Sequence, residues 1–298
     1  MTTRPALTEA DLVLPGWQVA PGVRALVTTR DGGVSEPPYG RWRAARVASA
    51  SAGAEADADA ESGADEPGGL NLGRGSGDDL EHVEANRARL AGYTGVPAAW
   101  LKQIHGPRVV DAAEALAAAR AGTPLEADAS VTAERGIACT VMIADCMPVL
   151  IADSAGRAVG AAHAGWRGLA AGVIERTAER VMALAGCGAA DLHVYLGPSI
   201  GPAAFEVGED VREAFLVHVG SADAAQREAT AAAFVPRAQA PGKYLADLPA
   251  LARLRLAALG VRHVSGGDLC TVTLRERFYS YRRDRITGRM AAMIWIEP

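Results

Sequence analysis

The most constraining feature of this sequence is an apolar run over residues 137–152 that breaks at Asp145. The run is too short and too rich in β-branched side chains to cross a bilayer. The break leaves two strand-like pieces, 137–144 and 148–152. A third, 158–162, follows the short hairpin-type turn Asp153-Ser154-Ala155-Gly156-Arg157. A chain built around such runs needs a sheet that buries them, and the rest of the sequence supplies the partners. Residues 23–29 and 193–196 read as strands, as does the C-terminal stretch from Met290 to Ile296. Residues 100–104 and 108–111 read as extended segments around a His-Gly-Pro turn.

Helical patterns lie between the strands. A helix is expected over 79–93 with Asp78 or Asp79 as its cap, and an Ala-rich one over 112–121. In 168–185, Val173, Ile174, Thr177, Val181 and Leu184 fall near a 3.6-residue period, and Gly186 suits the stop. Further helices are expected over 207–217 and, capped by Asp247, over 248–259. Helices and strands mix without regular βαβ spacing, which predicts an α+β (irregular α/β) fold with mixed sheets flanked by helices. At 298 residues the default is one elaborated domain over 1–298. Residues 41–69, almost all Ala, Ser, Gly, Asp and Glu, read as a disordered insertion within it.

Bulk properties narrow the function. A formal net charge of −5 gives no general attraction to nucleic acid or anionic membrane. The N-terminus has no apolar h-region, so a cytoplasmic protein is expected. Its four cysteines are then reduced thiols rather than a disulfide frame.

Three segments carry groups suited to chemistry: Gln103-Ile104-His105-Gly106, Ala144-Asp145-Cys146-Met147-Pro148 and His163-Ala164-Gly165-Trp166-Arg167-Gly168. Each puts a soft or borderline metal donor at the end of an extended run beside a turn. The donors are far apart in the chain, so they do not form a zinc-finger knuckle. Two imidazoles and a thiolate suit zinc with a fourth position open to water or substrate, which is the arrangement of a catalytic site. By spacing alone the same residues also read as ordinary core side chains.

The ordered set of motifs resembles the YfiH/laccase-domain family, also called multicopper polyphenol oxidoreductases or peptidoglycan editing factors. It runs from Thr28-Thr-Arg-Asp-Gly-Gly-Val-Ser through Leu70-Asn-Leu-Gly, Asn86-Arg87, Gln103-Ile-His-Gly and Ala127-Asp128-Ala. It continues with Ala144-Asp-Cys-Met-Pro, His163-Ala-Gly-Trp-Arg-Gly, Leu196-Gly-Pro-Ser-Ile-Gly-Pro, Phe205-Glu-Val-Gly and Cys270-Thr. It ends with Tyr279-Ser-Tyr-Arg-Arg-Asp and Thr287-Gly-Arg. The resemblance implies metal ligands at His105, Cys146 and His163. It also implies zinc-dependent purine nucleoside phosphorylase activity with adenosine deaminase activity. The partners would be a small nucleoside and phosphate, with no nucleic acid or membrane, and the chain a monomer or homodimer. The departure from the pattern is the polar stretch between Pro38-Tyr39 and Leu70.

Around the ligands, Arg30, Arg87 and Arg167 are candidates for holding phosphate, because a planar fork of donors matches an oxyanion. Gly197 and Gly201 would let backbone amides approach substrate, and Asn71 would face the pocket from its Gly-rich loop. Asp145 is the candidate catalytic carboxylate; Asp128 is equally placed to move a proton or to orient a ligand. Three other readings compete. A copper oxidase with Met142 or Met147 near the site is disfavoured by only six histidines and no His-x-His pair. A hydrolase acting on muropeptide precursors would use Cys146 as nucleophile. A binding module would use the metal for structure alone.

Overall fold

A computed structural model describes residues 6–17, 19–44, 63–219 and 224–298. Its frame is two mixed sheets stacked face to face. Strands Met147–Asp153 and Val159–Ala164 lie at the middle of a six-stranded sheet, flanked by Leu192–Leu196 and Ala129–Thr132. The edges, His263–Gly266 and Val109–Asp111, pair parallel to their neighbours. The second sheet has five strands, with Met290–Ile296 central between Val23–Thr28 and Ala138–Ile143.

The reason the 147–152 and 159–162 runs are apolar at every position is that both faces of their sheet are covered. Met147, Val149 and Ile151 point into one core with helices Val173–Ala185 and Leu248–Leu259. Leu150 and Ala152 point the opposite way, into a second core shared with Val141, Ile143, Ala292 and Ile294 of the five-stranded sheet. Alternation of side chains along a strand produces this division. The far face of the five-stranded sheet, with Leu26 and Met293, packs with Leu90 of helix Leu80–Thr94. The order of layers is therefore helices, sheet, sheet, helix, and the fold is α+β with mixed sheets as expected.

Local signals set most helix ends. The Asp79 side chain accepts from the Glu81 amide, Asp111 from Ala113 and Glu114, and Asp247 from Ala250. The expected helix over 168–185 is in fact two, Trp166–Ala170 and Val173–Ala185. Gly172 breaks it with φ 89°, a conformation that favours glycine. The helix expected from 207 begins at Glu209, because Glu206–Gly208 pairs as a strand with Lys243–Ala246. The insertion expected over 41–69 is narrower: Arg41–Ala44 and Gly63–Glu66 form an antiparallel ribbon, anchored by Trp42 in the interior. The rest of that expectation, 45–62, lies outside the described residues. Helix Ala224–Ala232 and the small sheet of Glu206–Gly208, Phe234–Pro236 and Lys243–Ala246 were not legible in the sequence. Among the described residues no helix is long and apolar enough to cross a membrane, and the four cysteines form no disulfide.

Candidate metal centre and cavity

His163 is carried near the end of the buried Val159–Ala164 strand, where it pairs across the sheet with Pro148. Cys146 ends the turn that joins the two sheets, immediately before Met147 starts its strand. His105 sits in the loop before Val109–Asp111, with φ 61°. One ligand atom from each of the three lies within 4.8 Å of the others. The two imidazoles meet edge to face with ring centroids 4.9 Å apart. This is the group of three or more His, Cys, Asp or Glu donors found among the described residues.

Asp128 holds two of the three donors in place. Its carboxylate accepts the backbone N–H groups of Ile104 at 3.1 Å, His105 at 2.8 Å and Gly106 at 2.7 Å. It also meets His163 Nδ1 at 2.9 Å, which leaves Nε2 as the ring nitrogen available inside the trio. Burial raises the cost of its charge, yet the His163 contact and the amides keep Asp128 below the usual carboxylate range. Gln103 fixes the same loop to the other sheet through paired hydrogen bonds with the Met142 backbone, both 2.8 Å.

The donor set fits a single transition-metal ion. Burial opposes ionisation of the Cys146 thiol, but His163 and His105 outweigh that and lower it from its ordinary range. Burial likewise disfavours the His163 cation, but Cys146 and Asp128 outweigh it and raise that imidazole. A thiolate and an oriented imidazole are what a borderline metal requires. Space is reserved as well: a Cβ added at Gly165 would lie 2.8 Å from Cys146 Sγ and 3.3 Å from His105 Cδ2.

The trio opens into a cavity of about 760 Å³. Arg167 and Asp145 line it with the three donors, as the sequence suggested. The Asp145 carboxylate accepts the Thr271 hydroxyl and the Arg282 amide, both at 2.6 Å, and the residue's own φ is 91°. These contacts hold the turn that carries Cys146.

The other expected substrate contacts move away from the cavity. Arg30 is fully buried and donates to the carbonyls of Gly40 and Arg275 and to Asp65, with its plane over Tyr279. Arg87 donates twice to the Leu72 carbonyl and stacks on Trp100 at 4.0 Å. Neither guanidinium faces the trio's cavity, and both hold loops to the sheets. Asn71 is buried and accepts the amides of Gly73 and Arg289, shaping two parts of the cavity wall without lining it. Gly197 and Gly201 are small for packing reasons. A Cβ at the first would lie 2.6 Å from Pro148, and at the second 3.1 Å from Cys270. Ile200 between them lines the cavity instead.

The sequence reading missed Tyr281, Arg282, Arg285 and Arg289, which line the same cavity. The available signal was the density of arginine in Tyr279-Ser-Tyr-Arg-Arg-Asp and Thr287-Gly-Arg. Within that segment Tyr281–Asp284 is a short helix capped by Ser280.

The same chain, compared with known proteins, matches a family model described as multi-copper polyphenol oxidoreductase laccase over residues 24–297. It belongs to that family. A Pseudomonas aeruginosa protein named purine nucleoside phosphorylase is 44% identical over 283 residues, covering 95% of this chain and 97% of that protein. The Escherichia coli protein named purine nucleoside phosphorylase YfiH is 43% identical over 291 residues, covering 96% and 98%. A Neisseria meningitidis crystal structure superposes with a TM-score of 0.78 at 43% identity, covering 97% of this chain and 100% of the other. YlmD from Geobacillus stearothermophilus superposes with the same TM-score, 0.78, at 28% identity, covering 98% and 99%.

Proposed function

We propose that this chain is a zinc-dependent purine nucleoside phosphorylase that also deaminates adenosine. The observation that carries the reading is the His105, Cys146 and His163 trio opening on an arginine-lined cavity. The names of relatives at 43–44% identity support the same reaction class. In phosphorolysis, phosphate attacks C1′ of adenosine, inosine or methylthioadenosine, and the base leaves to give ribose 1-phosphate. In deamination, water attacks C6 of adenosine and ammonia leaves.

His105, Cys146 and His163 would hold the ion, which supplies Lewis acidity beside the substrate. Asp128 keeps His163 and the His105 loop in register with it, so the donors need no rearrangement. Phe205, Ile200 and Leu248 give the cavity an apolar side suited to a purine face. Arg167, stacked on Trp166 at 4.2 Å, offers a planar fork to an oxyanion. The donor pattern favours zinc over the copper chemistry of the family's description. A multicopper oxidase needs further histidine clusters, and among the described residues the trio is the sole group of three donors.

The test is to analyse the purified protein for metal and incubate it with adenosine or inosine, with and without phosphate. Zinc near one per chain, phosphate-dependent ribose 1-phosphate and loss of both in Cys146→Ala are expected. Bound copper with strong blue absorption, or activity that survives complete chelation but not thiol alkylation, would overturn the reading.

A further inference from the structure

Among the described residues, three non-glycine residues have positive φ: His105, Asp145 and Arg285. All three line the same cavity. A positive φ is unfavourable for an ordinary side chain, and such residues gather where a site over-determines the backbone. His105 and Asp145 owe theirs to the metal centre, one as a donor and the other as the anchor beside Cys146. Arg285 has no such explanation on that side of the cavity.

Its backbone, at φ 62° and ψ −59°, is the centre of a γ-turn. The Ile286 amide donates to the Asp284 carbonyl at 2.7 Å, and the Arg285 amide to Tyr281 at 3.0 Å. A γ-turn of this hand is rare and strained. The neighbouring carboxylate does not neutralise the arginine: Asp284 is engaged by Arg283 at 2.7 Å and Arg275 at 3.5 Å.

Arg167 aside, the other Lys and Arg side chains lining this cavity are committed. Arg282 donates to the Glu206 carbonyl, Arg289 to those of Thr287 and Gly288, and Lys102 pairs with Glu126. The Arg285 guanidinium makes no hydrogen bond or ion pair with the described residues, and its plane lies 5.8 Å from the Tyr281 ring. Arg167 is alike, with Trp166 beneath it and its donors uncommitted among the described residues. Two aromatic-backed forks of donors therefore face one cavity with no carboxylate left to receive them.

Resting on the phosphorylase reading, we infer that Arg285, held out on its γ-turn, seats the inorganic phosphate co-substrate together with Arg167. Glycine and asparagine tolerate positive φ, so Arg285→Gly and Arg285→Asn remove the fork while keeping the turn. Both variants keep the wild-type thermal midpoint or exceed it. Their KM for phosphate rises roughly 10–100-fold, the loss of a charge-assisted bidentate contact, while the KM for the nucleoside stays within about twofold. Phosphate binding without nucleoside, followed by 31P NMR line broadening in the metal-loaded protein, weakens by the same factor. A phosphate KM and line width equal to wild type would overturn the inference. So would a rise confined to the nucleoside KM, or tighter dependence on a nucleoside 5′-phosphate than on free phosphate. If the wild type binds phosphate through Arg285 yet cleaves no nucleoside, the phosphorylase reading fails while Arg285 stands as a phosphate seat.

Discussion

Asp128 and Asp153 are the same device put to two uses. Each is a fully buried carboxylate that gathers three backbone N–H groups: Ile104, His105 and Gly106 in one case, Ala155, Arg157 and Ala158 in the other. Each is held below the ordinary carboxylate range. The difference is the remaining partner. Asp153 closes on Arg157 Nε at 2.8 Å, a side chain half exposed at the surface. Asp128 closes on His163 Nδ1, deep in the sheet. The first arrangement ends a hairpin; the second orients the His163 ring and the loop that carries His105 toward the same cavity. Amide nests around a carboxylate are thus a structural tool, and their last contact decides whether they also serve chemistry.

Breaking the nests one at a time separates the two uses. Asp128→Asn places an amide where four donors converge, and both stability and metal affinity fall. Unfolding free energy drops by about 3 kcal/mol in denaturant titration, and metal affinity in a chelator competition drops about 10–100-fold. Asp153→Asn has a smaller effect, about 2 kcal/mol, because water already shares its partner Arg157. Its metal content stays at the wild-type value. Equal metal loss in both variants would show that the contrast between the nests is only apparent.

The pH dependence sharpens the same point. The folded pKa of Asp153 lies below its unfolded value, so its contribution is complete above about pH 5 and is lost as pH falls through the folded pKa. Denaturant midpoints of the wild type fall on acidification, and those of Asp153→Asn fall less steeply over the same range. Parallel acid limbs would remove Asp153 from that account.

The arginines make a related pair. Arg87→Ala leaves the Leu72 carbonyl without its two donors and uncovers Trp100, costing about 2 kcal/mol with unchanged phosphate KM. Arg167→Ala leaves stability within about 0.5 kcal/mol and raises the phosphate KM. The reverse pattern, read from thermal midpoints and initial rates, would exchange their roles.

Much of the frame was legible from local pattern. Continuous apolar runs marked the doubly covered strands, and Asp79, Asp247 and Gly186 marked helix ends. The small outer sheet was not, because its strands are short and partly exposed, and pair only once brought together. The three donors were legible as types in motifs. The arginines were not sortable in the same way: Arg30, Arg87 and Arg167 all stand in motifs, yet only Arg167 reaches the cavity.

Sequence by itself determined the long apolar strands, several of the helix ends and the three candidate donor residues, since these depend on periodicity and residue chemistry within a few neighbours. Tertiary structure alone decided which donors converge, which carboxylate orients them and which guanidinium groups keep uncommitted donors among the described residues. Those outcomes depend on where each hydrogen bond closes. The closing partners, Asp128 for His163, Thr271 and Arg282 for Asp145, and Leu72 for Arg87, lie 35, 126, 137 and 15 residues away along the chain. No local pattern encodes a contact at those distances; the packing of the two sheets does.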